Sequence, residues 1–164
     1  MKTFIHRTFV YGCVLASCSL VFVACGPDKD PKMEEAGKIH LASMEIEEAL
    51  HEQIEGIDSL KVVLNDKKKS LTDAAAIASI DSTVVQLDAV AKSFEEWEES
   101  LVEVPGLPHE HHHHEGEEHH HHDHKPAPEV SGEQMIEIQK EIKTNIEKIK
   151  ADWANVQDRL KKIL

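Results

Sequence analysis

Residues 109–126 read HEHHHHEGEEHHHHDHKP and hold ten of the chain's thirteen histidines beside five carboxylates. Neutral imidazole is a good ligand for zinc, nickel and copper(II), and carboxylates complete such coordination spheres. His109, His111, His112, His113, His114, His119, His120, His121, His122 and His124 offer many four-ligand subsets. Closing a short stretch of chain around an ion costs on the order of a few kcal/mol of chain entropy. The spacing specifies no single geometry, so it predicts several modest sites that discriminate poorly among Zn, Ni and Cu(II). All the cysteines lie at or before Cys25, and no Met-rich run replaces them, which excludes a Cu(I) thiolate site in the body of the chain.

The same atoms define a rival chemistry. Residues 109–124 carry −5 with neutral imidazoles and +5 when all are protonated, a swing centred near a pH of about 6.5. Protons and metals compete for the same lone pairs, so metal affinity falls on acidification. A pH switch also needs a bistable partner surface, and the sequence shows none. A third reading is a low-complexity linker without chemistry. The tract's internal position, and the Glu and Gly residues that break it, argue against an affinity tag.

A weaker constellation lies upstream. His40, Met44, Glu47 and His51 are spaced four, three and four apart, which places them on one helical stripe. Their neighbours Ile39, Ile46 and Leu50 form an apolar seam, so this stripe is expected to face solvent. A methionine between two histidines suits copper or zinc, whereas exposed side chains on an outer face are the commoner case. His40 and His51 therefore join the tract as additional candidate ligands, and His40 lies within its reach. No Gly-rich phosphate cradle, nucleophile elbow, HExxH or paired-cysteine motif occurs. Carboxylate pairs on long solvated helices need no catalysis to explain them, so no enzyme activity is expected. Trp97 and Trp153 fall on or beside apolar seams and read as packing residues.

The elements that must position these residues are helices. Aromatic residues make up only 4% of the chain and glycine is sparse, which disfavours a β-rich core. Apolar residues step by three and four through three segments. The first seam runs Ala36, Ile39, Ser43, Ile46, Leu50, Gln53, Ile57, Leu60, Leu64. The second runs Ile77, Ile80, Val84, Leu87, Ala91, Phe94, Leu101 and is broken by Glu98. The third runs from Met135 through Ile142, Ile146 and Trp153 to Ile163. Helices are predicted at 32–68, 71–102 and 133–163. Ser70 before Asp73 and Ser131 before Gln134 are the expected N-terminal caps, and Pro105 and Pro108 the expected stop of the second helix. Lys67, Lys68 and Lys69, and later Arg159, Lys161 and Lys162, suit the negative ends of their helices.

The short first connection forces the first two helices antiparallel. The predicted fold is all-α: an antiparallel up-down-up three-helix bundle, coiled-coil-like, with a disordered His- and acid-rich loop over 103–132. A helical hairpin that completes its core as a homodimer is the alternative.

The N-terminus reads as an export signal. MKTFIHR is a basic n-region, and the apolar run TFVYGCVLASCSLVFVA ends at Cys25, where polar sequence starts. It resembles a bacterial lipoprotein signal, with residues 1–24 as leader, 25–31 as tether and Cys25 as the lipidated residue. Cys18, after Leu15-Ala16-Ser17, is the alternative acceptor, and an uncleaved signal anchor is the alternative topology. Either places the domain in the cell envelope, on the periplasmic side of the outer membrane or at the cell surface. Loss of Lys2 and Arg7 with the leader takes the formal charge from −13 to −15. Phosphate repels such a surface, which argues against a nucleic-acid partner.

This topology puts the tract at the membrane-proximal end with Glu34, Glu35, Glu95, Glu96, Glu98, Glu99 and Glu103, and the lysines at the far end. Glu95, Glu96, Glu98 and Glu99 close the second helix, where the dipole favours cations. Solubility is the ordinary explanation; a nearby metal ion or imidazolium is the sharper one.

The stretches AGKIHLASMEIEEALHEQIEGIDSLKVVLNDKK and LDAVAKSFEEWEESL, behind a signal ending ACG and before a Lys- and Ile-rich last helix, resemble a family of uncharacterised Bacteroidetes envelope lipoproteins, some His-rich, often labelled viral A-type inclusion proteins. Ile39-His40, Met44 and Trp97 match its recurring positions. The resemblance implies an envelope lipoprotein and supplies no catalytic residues; His-rich insertions in that family are consistent with envelope metal handling. The expected function is a non-enzymatic, membrane-anchored binder of divalent transition metals, as buffer or delivery factor. The alternative is a structural lipoprotein whose helical surface docks an envelope partner, with the His tract a tolerated linker.

Overall fold

The structure, a computed structural model, describes residues 30–107 and 128–164. Among these the chain is all-helical, with no strands, in the order α1 (Pro31–Glu55), α2 (Ile57–Lys69), α3 (Ala74–Glu99) and α4 (Gly132–Ile163). Three helical segments pack together, because α2 continues α1 past a break at Gly56.

Local chemistry sets each boundary. Pro31 occupies the first turn of α1, where its missing N–H costs nothing. Asp30 caps that turn, its Oδ1 accepting from the Lys32 amide at 2.9 Å. The single helix expected over 32–68 is divided: Gly56 sits at φ −69°, ψ −7°, off the regular helix, where glycine's poor propensity lowers the cost of a break. The expected Ser70 cap is also corrected. The Ser70 hydroxyl donates backward to the Lys67 carbonyl at 2.7 Å. Asp73 caps α3 instead, its Oδ2 accepting from Ala76 N at 3.0 Å. The carboxylate is the better acceptor and stands one residue before the helix. At Ser131 the expected capping box is present: Gln134 N donates to Ser131 Oγ at 3.3 Å, and Ser131 N to Gln134 Oε1 at 3.0 Å.

The second helix ends at Glu99, before the prolines reach it. Ser100 Oγ donates to the Trp97 carbonyl at 2.7 Å, and the chain then runs non-helically through Leu101 and Val104, both buried. Pro105 and Gly106, the latter at φ +84°, turn it, and Leu107 N donates to Val104 O at 3.3 Å. Pro108 lies outside the described residues.

The main core draws on Leu50, Ile57 and Leu64 from α1 and α2, Ile80, Leu87 and Phe94 from α3, and Ile146, Trp153 and Leu160 from α4. Each large apolar side chain taken from water contributes about 1.5–3 kcal/mol. Gln53, placed on the first seam by its spacing, is exposed, and Ile54 takes the buried position four residues after Leu50. Gln53 Oε1 instead accepts from Trp153 Nε1 at 2.9 Å and Gln157 Nε2 at 3.0 Å. A smaller core of Ala36, Val104, Met135 and Ile136 lies where the non-helical segment after α3 replaces that helix.

Cross-helix pairs give the register. Lys32 meets Glu133, Gln53 meets Trp153, and Lys67 meets the Leu164 carbonyl. Against α3 the numbering runs the other way: His51 faces Glu98, Lys61 meets Asp88 at 2.6 Å, and Lys68 meets Asp81. Asp88, and after it Asp58, hold the Lys61 ammonium above its ordinary pKa. By length and composition α3 is apolar enough to cross a membrane, yet Ile80, Leu87, Phe94 and Trp97 from it are core residues.

Candidate metal centre

On α1, Glu47, His51 and Glu55 follow one another at intervals of four and share a stripe. Glu47 and His51 belong to the stripe with His40 and Met44 that is expected to face solvent, and all four are half-buried. The physical reason is that α1 packs against both α3 and α4, so more than one of its faces is covered; Glu55, one turn further on, is exposed. Met44 packs on the main core and is not among the ligand group below. His51 retains 34% side-chain exposure, Glu47 18% and, across the seam on α3, Glu98 13%.

The last turns of α3 are held firmly. Trp97 is buried and its Nε1 donates to the Ile142 carbonyl of α4 at 2.9 Å. Phe94 lies beside Trp97, ring centroids 6.2 Å apart, and the His51 ring sits 6.1 Å from Phe94 at a tilt of 55°. Both tryptophans thus pack as expected, and Trp97 with Phe94 fixes the turn from which Glu98 reaches α1.

The resulting distances are specific. His51 Nδ1 lies 3.3 Å from Glu47 Oε1 and 3.7 Å from Glu98 Oε1, while Nε2 lies 3.3 Å from Glu55 Oε1. One ligand atom each from Glu47, His51 and Glu98 falls within 4.8 Å of the others, a group suited by type and spacing to a metal ion. Glu98, read in the sequence as a break in an apolar seam and a misfit at a helix C-terminus, faces an imidazole. An acid on an otherwise apolar seam was the available signal; its partner required the register.

His40, the other candidate ligand on α1, is not brought to this group. Its Nδ1 lies 3.2 Å from Gln139 Oε1 on α4. The tract histidines from His109 to His124, and Cys25 and Cys18, lie outside the described residues. The chain on either side of the tract is described. Leu107 packs against Gly37, where an added Cβ would lie 3.1 Å from its Cδ2. Val130 packs on the small core with Ala36 and Met135. Leu107 thus rests on the second turn of α1, and Val130 on the small core that Ala36 of α1 shares with Met135 of α4. Of the acids expected at this end, Glu34 pairs with Lys38 at 2.9 Å and Glu96 with Lys92 at 2.5 Å.

No family model, no curated protein and no solved structure matches the chain.

Proposed function

We propose that this chain is a non-enzymatic, lipid-anchored envelope protein that binds divalent transition metals with low selectivity through residues 109–124, as a buffer or delivery factor. The observation that carries the reading is a run of ten imidazoles whose flanks, Leu107 and Val130, both pack at the small core beside the start of α1. That end of α1 stands a few residues from Cys25, the proposed lipid acceptor. In this reading the helices form an up-down-up bundle with its cation-binding pole at the membrane, and zinc, nickel and copper(II) are the ions taken.

Borderline dications bind imidazole through nitrogen without needing sulfur, and several loosely defined ligand sets favour capture and release over permanent retention. Titrating zinc or nickel calorimetrically into the mature chain, and into a variant with the tract histidines changed to asparagine, tests the proposal. Loss of most of the bound metal in the variant is expected; equal binding by both at neutral pH would remove the tract from the function.

A further inference from the structure

We infer that Glu47, His51 and Glu98 form a separate metal site, carried by the helices and independent of the tract, that takes one zinc-class dication through an imidazole nitrogen and two carboxylate oxygens.

The geometry around Nδ1 points to an ion in place of a proton. An imidazole nitrogen carries either one N–H or one lone pair, directed in the ring plane. Here two carboxylate oxygens face the same nitrogen, at 3.3 and 3.7 Å, and a single proton would be divided between two long contacts where a dication would bind both oxygens. A tetrahedral zinc with nitrogen and oxygen ligands at about 2.0–2.2 Å holds those ligand atoms roughly 3.4 Å apart from one another. The two separations at Nδ1, 3.3 and 3.7 Å, bracket that edge length, the two carboxylates lie within 4.8 Å of each other, and the fourth position falls to water.

The far side of the ring supports the same assignment. Metal-bound histidines commonly donate their other N–H to a carboxylate, which fixes the tautomer and raises the basicity of the ligating nitrogen. Glu55 Oε1 stands 3.3 Å from Nε2 and supplies that carboxylate. A proton on Nε2 leaves Nδ1, the nitrogen nearest Glu47 and Glu98, to ligate the ion.

The surroundings favour a dication as well. Glu98 lies in the last turns of α3, which has no basic residue in its final turn, so the helix dipole and its neighbouring acids both repel a further negative charge. Glu47 is held close by with little exposure, and like charges brought together out of water repel strongly unless a cation lies between them. The ligand set contains no sulfur, which selects zinc, cobalt(II) and similar dications over Cu(I). A bound ion ties α1 to the point where α3 ends.

The test separates this site from the tract. Tract ligands are neighbours in sequence and stay available to the unfolded chain, so their binding changes the melting temperature little. The helix-borne ligands come together only in the folded state, so their binding raises it. Thermal unfolding of the mature chain, followed by circular dichroism, is expected to shift upward by about 5–10 °C at zinc a hundredfold above its dissociation constant. Glu98→Gln and Glu47→Gln, which keep side-chain volume, should each remove more than half of that shift, whereas the tract asparagine variant should retain it. An unchanged melting temperature in the wild type, or equal shifts in the wild type and both Gln variants, overturns the site. As a second readout on the folded wild type, cobalt(II) should broaden the Phe94 ring resonances. Unbroadened Phe94 signals at saturating cobalt also overturn it. Failure of the tract proposal would appear in calorimetry of the asparagine variant and leave these shifts unaltered.

Discussion

Gln139, fully buried on α4, donates its Nε2 to the Val102 carbonyl at 2.8 Å and thereby turns its Oε1 toward His40 Nδ1, 3.2 Å away. A carbonyl can only accept, so the amide orientation is fixed, and His40 must present an N–H at Nδ1. One buried polar side chain thus joins α1, α4 and the non-helical segment that follows α3. Replacing it by leucine removes the donor to a carbonyl held in the protein interior, which costs about 1–3 kcal/mol. Urea unfolding of Gln139→Leu should show a loss of that size, and long-range nitrogen–proton NMR should report the Nδ1–H tautomer of His40 in the wild type.

Two glycines at helix boundaries should respond in opposite ways. At Gly56 an added Cβ meets the Gln53 carbonyl at 3.4 Å, an ordinary contact, and φ is already negative. Gly56→Ala should stabilise the chain by about 0.4–1 kcal/mol by restricting the unfolded state. At Gly132 the same atom would lie 2.5 Å from Asp30 Oδ2 and 2.6 Å from Lys32 Cβ. Gly132→Ala must push the opening turns of α1 and α4 apart, and should destabilise by about 1–3 kcal/mol. Melting temperatures of the two variants, measured side by side, check both signs.

The proposed lipid anchor separates Cys25 from Cys18 by simple variants. Cys25→Ser should abolish incorporation of labelled fatty acid and move the protein out of the detergent phase on phase partition, while Cys18→Ser should leave both unchanged. The reverse pattern would assign the lipid to Cys18.

Much of the fold could be read from residue spacing, because long seams of Ile and Leu at steps of three and four admit few packings. The Ser131–Gln134 box was equally legible, since both partners of a reciprocal cap are local. What escaped depended on neighbours. Asp73 outcompeted Ser70 as a cap because a carboxylate adjacent to the helix start accepts more strongly than a hydroxyl further back. The end of α3 was placed by Pro105, but the chain leaves the helix at Ser100 to lay Leu101 and Val104 on the cores. The His40–His51 stripe was assigned to solvent because a seam count assumes one covered face, and α1 has two neighbours. Glu98 carried a visible oddity in the sequence, yet only the contact between α1 and α3 shows that the oddity faces His51.

Metal stoichiometry tests the central claim most directly. Equilibrium dialysis of the mature chain against buffered zinc at neutral pH, followed by elemental analysis, counts the ions held by tract and helices together. More than one zinc per chain is predicted for the wild type, falling to a single ion when the tract histidines are replaced by asparagine. A wild-type chain that emerges free of zinc would contradict the account.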